Sequence, residues 1–505
     1  MPSPVVLDGA SLTVADVVSV AREWAEVRVA PEAAERAARS RAAVERAAAG
    51  SAPVYGVNTG FGKLASVRVP ADRLLELQRN LILSHCAGVG PPLPLPVVRA
   101  VMLLRANVLL KETSGVRPVL AERLAQLLNA GIHPVVPEQG SVGASGDLAP
   151  LSHVARAVLG EGDVELARGA ADPVRRIPAG AALVEAGLTP LVFQAKEGLA
   201  FINGTQAQSA MLALLLYDAR NLWRSAHGAA AMSLEALRGT PVPFDPRIHQ
   251  VRPHPGQRAS AALMRELLAG SDIRESHRHH DPRVQDAYSL RCIPQVLGTV
   301  ADGLDFAERI VTVELNAATD NPLVFGEEML SGGNFHGQPV ALALDLLALV
   351  LTTLAGLAER RVEALVNPDL SQGLPAFLTP QAGLQSGFMM IQVTAAALVA
   401  ECRTLCTPAS VQSIPTDANQ EDYVPMGMAA AYKARRVLAN AQRVVAAELL
   451  CGAQGLEFLK PLAPGRGVDA VHRRVRALVP PLVEDRPLTE DIERVAALLA
   501  QEAIA

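Results

Sequence analysis

The stretch Val340-Ala-Leu-Ala-Leu-Asp-Leu-Leu-Ala-Leu-Val-Leu351 indicates which fold this chain adopts. On a helix its leucines and valines would cover most of the circumference. A helix that is apolar nearly all round must be buried, since a surface helix keeps its apolar residues to one stripe. The stretch therefore predicts a core helix, in the middle of a bundle or between subunits. A membrane span is not expected, because the longer apolar segment from Val340 to Ala358 carries Asp345 and several Thr and Gly residues.

Helical patterns dominate the rest of the chain. Alanine and leucine are abundant, and the β-branched and aromatic alternation of strands is scarce. Pro31 opens an Ala/Glu/Arg-rich run that Gly50 closes, an asymmetry typical of helices. We predict an all-α fold, a long-helix bundle with a smaller, mostly helical N-terminal domain. The predicted helices cover about residues 31–50, 71–86, 95–111, 119–130, 148–159, 205–234, 286–316, 338–366, 384–406 and 426–459.

One break and several loops suggest how the chain is organised. Thr113-Ser-Gly-Val-Arg-Pro118 is typical of a break before a new helix. The predicted domains are therefore an N-terminal domain (residues 1–115), a central long-helix bundle (116–480) and a C-terminal helical tail (481–505). Polar and glycine residues cluster in loops, where we look for function, at residues 55–62, 131–146, 273–285, 319–337 and 408–423.

Composition excludes several classes of protein. Half of the 505 residues are hydrophobic and 19% are charged, so a large core is available and wholesale disorder is not expected. The net charge is −5, without a Lys/Arg run, which argues against nucleic-acid binding. Five cysteines are few and odd in number, which fits a reducing compartment. The first nine residues lack the basic and apolar regions of a signal peptide, so a cytoplasmic protein is expected.

The stretch Gly140-Ser-Val-Gly-Ala-Ser-Gly-Asp-Leu-Ala-Pro-Leu-Ser-His153 carries the most specific chemical signal. Gly146 has no side chain to hinder its amide nitrogen and can adopt strained backbone angles. That nitrogen could attack the carbonyl carbon of Ala144 and close a five-membered ring. Loss of one water from the ring and of a second, made from the Ser145 hydroxyl and its α-hydrogen, would leave a methylidene-imidazolone, an electrophile that no ordinary side chain supplies. Without its context, Ala-Ser-Gly would be read as a simple connector.

In that fourteen-residue context the sequence resembles the aromatic amino acid ammonia-lyases, and most closely the members that act on histidine. The resemblance extends from about Tyr55 to the end of the predicted helix at residues 426–459. It implies an autocatalytic 4-methylidene-imidazol-5-one cofactor made from Ala144, Ser145 and Gly146, with no metal or nucleotide. It also implies a homotetramer with active sites shared between chains.

Tyr55 begins the segment Tyr55-Gly-Val-Asn-Thr-Gly-Phe-Gly62. Its glycines suit a mobile or tightly turned loop that covers a site, although a surface turn explains them equally. The resemblance implies that Tyr55 abstracts the β-proton of the substrate. A tyrosine titrates near ~10, so that role needs an environment that favours the phenolate.

Arg291 lies in Gln285-Asp-Ala-Tyr-Ser-Leu-Arg291, three residues after Tyr288 and therefore on the same helical face. A guanidinium is the natural bidentate partner of a carboxylate, although a surface salt bridge is the alternative. The resemblance implies that Arg291 holds the substrate carboxylate and that Gln285 and Tyr288 complete a polar wall.

Asn203 and Phe335 lie in two further motifs. Asn203 precedes the predicted helix at residues 205–234, where an asparagine most often caps a helix or forms a turn. The resemblance implies contacts from Asn203 to the ring oxygen of the cofactor or to the substrate amine. Phe335 could be an ordinary core residue, whereas the resemblance places it beside the methylidene.

His85 and Glu421 bear on the choice of substrate. Unaided, His85 would be read as structural and Glu421 as a solvated helix start. In the histidine-specific members of the family the corresponding residues lie near the substrate imidazole. A buried carboxylate pairs with imidazole nitrogens but is left unsatisfied by a phenyl ring. Tyr423 departs from the histidine that those members commonly carry.

The expected activity is non-oxidative elimination of ammonia from L-histidine, giving trans-urocanate as the first step of histidine degradation. The alternatives are a phenylalanine or tyrosine ammonia-lyase, an aminomutase of the same family, or a catalytically silent helical scaffold. A metal site at His277, His279 and His280 is not expected, because no second cluster at ligand spacing accompanies them. Residues 140–146 lack the Gly-Lys-Ser/Thr ending of a phosphate loop, so nucleotide binding at this segment is not expected.

Overall fold

Helices make up most of the computed structural model, which describes residues 2–279, 281 and 283–505. The few strands are only three or four residues long, so the predicted all-α class is confirmed. The α-helices of these residues are Val14–Arg22 (α1), Pro31–Ala49 (α2), Leu74–His85 (α3), Leu95–Leu109 (α4), Val119–Ala130 (α5), Leu148–Val158 (α6), Ala179–Glu185 (α7), Glu197–Ile202 (α8), Gln206–Ala236 (α9), Pro246–Gln250 (α10), Pro255–Leu267 (α11), Asp272–Ser276 (α12), Tyr288–Arg291 (α13), Ile293–Glu314 (α14), Gln338–Val366 (α15), Met389–Leu405 (α16), Gly427–Glu457 (α17), Arg466–Leu478 (α18) and Thr489–Gln501 (α19). Short 3-10 helices cover Gly62–Leu64, Ala71–Arg73, Val242–Phe244, Ala376–Leu378 and Asp417–Asn419.

The chain divides into two compact units, each built from segments that are distant in the sequence. The first unit consists of Met1–Leu214, Glu308–Leu344 and Pro408–Tyr432. The second consists of Leu215–Ala307, Asp345–Thr407 and Lys433–Ala505. The three-part division predicted from the sequence stays a prediction.

The first unit contains all the strands of the described residues, in four small sheets. Strand β1 pairs in parallel with β2, and β3 pairs antiparallel with β5. Strands β4, β6 and β7 form an antiparallel sheet, and β8 and β9 form a hairpin. The strands are Val5–Leu7 (β1), Val27–Val29 (β2), Val89–Pro92 (β3), Ile132–Pro134 (β4), Pro137–Gln139 (β5), Asp163–Leu166 (β6), Arg175–Pro178 (β7), Leu323–Phe325 (β8) and Glu328–Leu330 (β9).

Helix α4 forms the centre of the first unit. Every residue from Val97 to Leu109 is buried, including Arg105. The Arg105 guanidinium donates to the carbonyl oxygens of Ala200 and Asn203, at the end of α8. Burying a guanidinium is costly without hydrogen-bond acceptors, and two of the acceptors used by Arg105 are carbonyls of the segment that carries Asn203. The core of this unit thereby fixes one side of the candidate site.

Helix α15 spans the bounds that the sequence predicted. Leu347, Leu351 and Leu354 are completely buried, whereas Leu342 and Leu349 are 49% and 40% exposed. Among the described residues, α15 is the helix long and apolar enough to cross a membrane, and 61% of its most apolar window is buried within the protein. The prediction of a core helix is therefore right for most of its surface, and an apolar stripe on one side stays uncovered in the single chain.

Two predicted helices have different bounds in the structure. The helix predicted at residues 286–316 is interrupted at Cys292, between α13 and α14. Pro294 has no amide hydrogen to continue the first helix and is accommodated in the first turn of the second. The helix predicted from residue 384 begins only at Met389, because the amides of Ser386 and Gly387 donate to the Asp485 carboxylate instead.

Candidate active site

A cavity of about 1140 Å³ in the first unit brings most of the predicted site residues together. Its lining comes from the loop after α2, one face of α3, the Ala-Ser-Gly segment with the start of α6, the end of α8 and the two loops beginning near residues 319 and 408. The predicted residues among the lining are Tyr55, His85, Ala144, Ser145, Asn203, Phe335 and Glu421. The volume is large enough for an amino acid and a covering loop.

The Ser145 hydroxyl is held by Glu421. Ser145 Oγ donates to Glu421 Oε1 at 2.5 Å, and the other carboxylate oxygen accepts from Thr416 Oγ1 at 2.7 Å. Thr416 and Glu421 also exchange backbone hydrogen bonds, which close a short loop. Glu421, 276 positions away in sequence, thus contacts the serine of the Ala-Ser-Gly motif.

The Asn203 side chain contacts the backbone of the same serine. Asn203 Nδ2 donates to the Ser145 carbonyl oxygen at 2.7 Å, and Asn203 is only 3% exposed. Its Oδ1 atom is buried without a hydrogen-bond partner among the described residues. Asn203 ends α8, but its side chain satisfies no helix end, so the capping role considered from the sequence is not what the structure shows. A buried acceptor without a partner is expected where a ligand donates a hydrogen bond.

Gly146 occupies a position that no other residue could fill. Its φ is +74°, and a Cβ atom there would overlap the backbone of Gly204. The two glycines pair as an isolated parallel bridge, and the Asp147 amide donates to the Gly204 carbonyl at 2.7 Å. The amide nitrogen of Gly146 is therefore free of side-chain hindrance and is held in a left-handed turn, as ring closure onto Ala144 requires.

Asp147, which the sequence interpretation did not single out, fastens this turn to helix α9. Its carboxylate accepts from the Gln208 amide at 2.9 Å, in the first turn of α9, and from Ser141 Oγ at 2.9 Å. Burial raises the pKa of Asp147 to about 6, against the opposing effect of these hydrogen bonds. An aspartate before an apolar helix looks like an ordinary cap in sequence, so only the contact with a second helix reveals its role.

Tyr55 lies in the cavity with its hydroxyl near the turn at residues 61–65. The Gly62 amide donates to the Tyr55 hydroxyl at 3.4 Å. Burial raises the pKa of Tyr55, and the negative charges of Asp417 and Glu421 raise it further, while the Gly62 hydrogen bond lowers it. In the single chain the phenol therefore favours its neutral form, and a base role requires a positive charge brought near it.

His85 ends α3 with one ring nitrogen already engaged. Its Nδ1 lies 2.8 Å from the Leu81 carbonyl oxygen and 3.1 Å from Ser84 Oγ. Because a carbonyl can only accept, Nδ1 carries a proton, and Nε2 is the nitrogen that can meet a ligand.

Aromatic rings complete the cavity near Glu421. Phe335 and His336 are lining residues, and the His336 ring stacks with Tyr423 at a centroid distance of 6.2 Å. His336 Nε2 also donates to the Tyr423 carbonyl oxygen at 3.1 Å. Tyr423, the departure noted in the sequence, is 56% exposed and belongs to the lining.

The described lining of the cavity is acidic. Its described lining includes the carboxylates of Asp417, Glu421 and Asp422, and it includes no lysine or arginine. An amino acid brings its own carboxylate, which such a surface repels. The described lining therefore offers no lysine or arginine to the carboxylate of the substrate that the sequence predicts.

Gln285, Tyr288 and Arg291 belong to the second unit and are not part of that lining. Gln285 and Tyr288 are exposed, and Arg291 Cζ lies 4.5 Å from the centroid of the Tyr288 ring. Arg291 and Tyr288 therefore meet on one face of α13, as their spacing suggested. Arg291 Nε is buried without a hydrogen-bond partner among the described residues.

Within residues 2–279, 281 and 283–505, no group of three or more His, Cys, Asp or Glu side chains is placed to hold a metal ion. His280, one of the three histidines considered in the sequence, lies outside the described residues.

Comparisons with known proteins place the chain in a family. Residues 12–477 match the family model described as aromatic amino acid lyase. The chain is 54% identical to a histidine ammonia-lyase of Anaeromyxobacter sp. (strain K), covering 98% of both chains. The histidine ammonia-lyase of Trypanosoma cruzi superposes with a TM-score of 0.91 at 43% identity, covering 100% of this chain and 94% of that one.

A second solved structure shows how broad the shared fold is. The tyrosine aminomutase of Streptomyces globisporus superposes with a TM-score of 0.93 at 42% identity, covering 99% of this chain and 97% of that one. With the matched family model and the near-complete coverage of relatives about half identical in sequence, the chain belongs to the aromatic amino acid lyase family.

Proposed function

We propose that this protein eliminates ammonia from L-histidine and releases trans-urocanate, the reaction of a histidine ammonia-lyase. The observation that carries the proposal is the contact between Glu421 and the Ser145 hydroxyl at 2.5 Å. It places a carboxylate suited to an imidazole directly beside the residue that would form the electrophile. The identity to curated histidine ammonia-lyases supports the same reaction.

The residues around Ala144, Ser145 and Gly146 fit a methylidene-imidazolone cofactor. Gly146 is unhindered and left-handed, and Asn203 Nδ2 already donates to the carbonyl oxygen of Ser145. When formed, the cofactor supplies an electrophile that makes the amine a better leaving group. Asn203 would strengthen that electrophile by stabilising negative charge on the oxygen that it contacts.

Tyr55 would remove the β-proton of the substrate. Its hydroxyl is anchored by the Gly62 amide in the same cavity as Ser145. Phe335 lines the same cavity as Ala144 and Ser145, where it would act as an apolar wall that helps exclude water from the reacting atoms.

Glu421 and His85 would choose the substrate. Both belong to the cavity lining, and each has a polar atom suited to an imidazole N–H. Once the Ser145 hydroxyl is lost in cofactor formation, a phenyl ring would leave Glu421 Oε1 without the donor that it has now, which costs about 1–3 kcal/mol or more for a charged group. A histidine substrate avoids that cost.

Arg291, with Gln285 and Tyr288, would hold the substrate carboxylate from a neighbouring subunit. The described cavity lining contains three carboxylates and no cation, and a cation near Tyr55 would also favour the phenolate. The exposed Leu342 and Leu349 on α15 are consistent with association of subunits. We infer a homotetramer with shared sites, located in the cytoplasm, where the five free cysteines would stay reduced.

Product formation tests the proposal directly. Purified protein is offered L-histidine, L-phenylalanine or L-tyrosine, and ultraviolet absorbance follows urocanate, cinnamate or coumarate. We expect urocanate from histidine alone and no product from Ser145→Ala. Intact-mass spectrometry should show a chain lighter by two water molecules, a loss absent from Ser145→Ala.

Other outcomes point to other functions. Cinnamate or coumarate would keep the chemistry and reject Glu421 as a selector of imidazole. A β-amino acid product, detected by chromatography, would indicate an aminomutase, whereas full mass without activity would indicate a silent scaffold.

A further inference from the structure

We propose that Asp417 is a positioning residue that fastens the turn at residues 61–65 and thereby holds the Tyr55 hydroxyl in the cavity. The inference rests on the proposed function for the role of Tyr55, but the fastening itself is a property of the fold. Among the hydrogen bonds of the described residues, Asp417 shares none with Ser145 or Asn203, so it would act through the turn.

The contacts form a short chain from Asp417 to Tyr55. Asp417 Oδ2 accepts from the Lys63 amide at 3.0 Å. The same carboxylate lies so close to Gly62 that a Cβ atom on that glycine, whose φ is +53°, would overlap it. Gly62 in turn donates its amide hydrogen to the Tyr55 hydroxyl. Releasing Asp417 therefore releases the residue that orients Tyr55.

The turn has few other anchors. Residues 63 and 64 are exposed, with Leu64 at 64%. The backbone bonds of the turn are internal: Leu64 donates to Phe61, Ala65 to Gly62, and Gly60 to Val67. Segments with few buried contacts open readily, so one hydrogen bond to a fixed acceptor decides how often this turn is closed.

Asp417 is itself held in an unusual backbone. Asp417, Ala418 and Asn419 have φ values of 48°, 52° and 65°, three left-handed residues in a row without a glycine. Such strain persists only where the surroundings fix it and is common at functional sites. Here the hydrogen bonds between Thr416 and Glu421 close the loop. One loop therefore directs Asp417 to the Tyr55 turn and Glu421 to Ser145.

The charge of Asp417 has an effect separate from its fastening role. It raises the pKa of Tyr55, after the larger effect of burial, whereas the Gly62 amide that it helps to hold lowers that pKa. Removing only the charge should lower the pKa of Tyr55. The other titratable groups of the cavity lining are His85, His336, Glu421, Asp422 and Tyr423.

Two substitutions separate these effects. Asp417→Asn keeps an oxygen that can accept from Lys63 and tolerates the left-handed backbone. Asp417→Gly removes the acceptor and is compatible with positive φ, so backbone strain cannot explain its effect. Asp72→Ala, an exposed carboxylate outside the cavity lining, is the matched control.

Limited trypsin digestion measures the fastening without substrate. The rate of cleavage after Lys63 is followed by mass spectrometry and normalised to cleavage after the exposed Arg168 of the same unit. We expect Asp417→Gly to speed cleavage after Lys63 about tenfold, and Asp417→Asn and Asp72→Ala to stay within about twofold of the parent. Parent-like cleavage of Asp417→Gly, or an Asp417→Asn as labile as Asp417→Gly, would overturn the proposal.

Kinetics then test whether the fastening positions Tyr55. Asp417→Gly should lower kcat at least about tenfold with KM within about twofold, because Tyr55 acts in the transition state. Asp417→Asn should restore kcat and move the base-dependent limb of the pH–rate profile to lower pH. Unchanged kcat in Asp417→Gly would sink the positioning role. If the parent makes no urocanate, the proposed function is wrong, but the digestion still tests whether Asp417 holds the turn at residues 61–65.

Discussion

At the scale of single residues, a substitution at Glu421 tests the proposed specificity for L-histidine most directly. Its carboxylate is bonded to Ser145 Oγ and Thr416 Oγ1 and keeps capacity for a ligand donor. Glu421→Gln keeps the shape and removes the charge. We expect kcat/KM for L-histidine to fall about 100-fold, since a charged hydrogen bond is lost, while L-phenylalanine added as a competitive inhibitor binds no more weakly than to the parent. Steady-state kinetics with L-histidine, with and without L-phenylalanine, measure both effects, and Glu76→Gln, an exposed glutamate of α3, is the control. Equal losses in histidine turnover and in phenylalanine binding would contradict the role.

Asp147 gives the site a measurable pH dependence. Its native pKa of about 6 lies above the ordinary 3.8, so the folded state binds more protons between these values and loses stability as pH rises through them. Asp147→Asn removes this contribution. The free energy of unfolding of the variant relative to the parent should therefore improve by about 2 kcal/mol between pH 4.5 and 7.5. Urea unfolding at both pH values measures it, and a constant difference would show that Asp147 does not titrate in this range.

At the scale of elements, close backbone approach sets the crossing of α11 and α14. A Cβ atom on Gly256 would overlap the Gly298 carbonyl, and one on Gly298 would overlap the Gln257 amide. Gly298→Ala should lower the free energy of unfolding by about 2–3 kcal/mol, because rigid backbone cannot yield. Gly356→Ala on α15, where a Cβ would meet nothing within 4 Å, should instead stabilise by about 0.5–1 kcal/mol. The midpoints of urea unfolding of the two variants measure both changes. A Gly298→Ala variant as stable as the parent would mean that the two helices can move apart to accept the methyl group.

At the scale of the whole molecule, the proposal that sites are shared between subunits can be tested by mixing variants. The described cavity lining holds Tyr55 but no lysine or arginine, and Arg291, in the other unit, has an Nε without a hydrogen-bond partner among the described residues. If sites are shared, Tyr55→Phe and Arg291→Ala chains should each be nearly inactive. After dissociation and joint reassembly, roughly a quarter of sites would contain both native residues and activity should return to that extent. Light scattering confirms reassembly, and reassembled but inactive mixtures would reject sharing.

The sequence by itself determined the helices and the chemistry of the Ala-Ser-Gly segment. The bounds of α5 and α15 follow from local apolar periodicity and caps, which are properties of neighbouring residues. Pro294 also indicates a break after α13, which the helix predicted at residues 286–316 does not include. The requirement for Gly146 follows from its missing side chain.

Only the tertiary structure decided which distant residues act together. Asp147 and Asp417 look like ordinary cap and loop aspartates in sequence, because their partners, Gln208 and Lys63, lie on other segments. The contact of Glu421 with Ser145 spans 276 positions. Such contacts depend on how elements pack, which periodicity cannot encode, and so do the raised pKa of Asp147 and the one-sided charge of the cavity. Local sequence thus set the elements and the reactive segment, and packing set the environment in which that segment works.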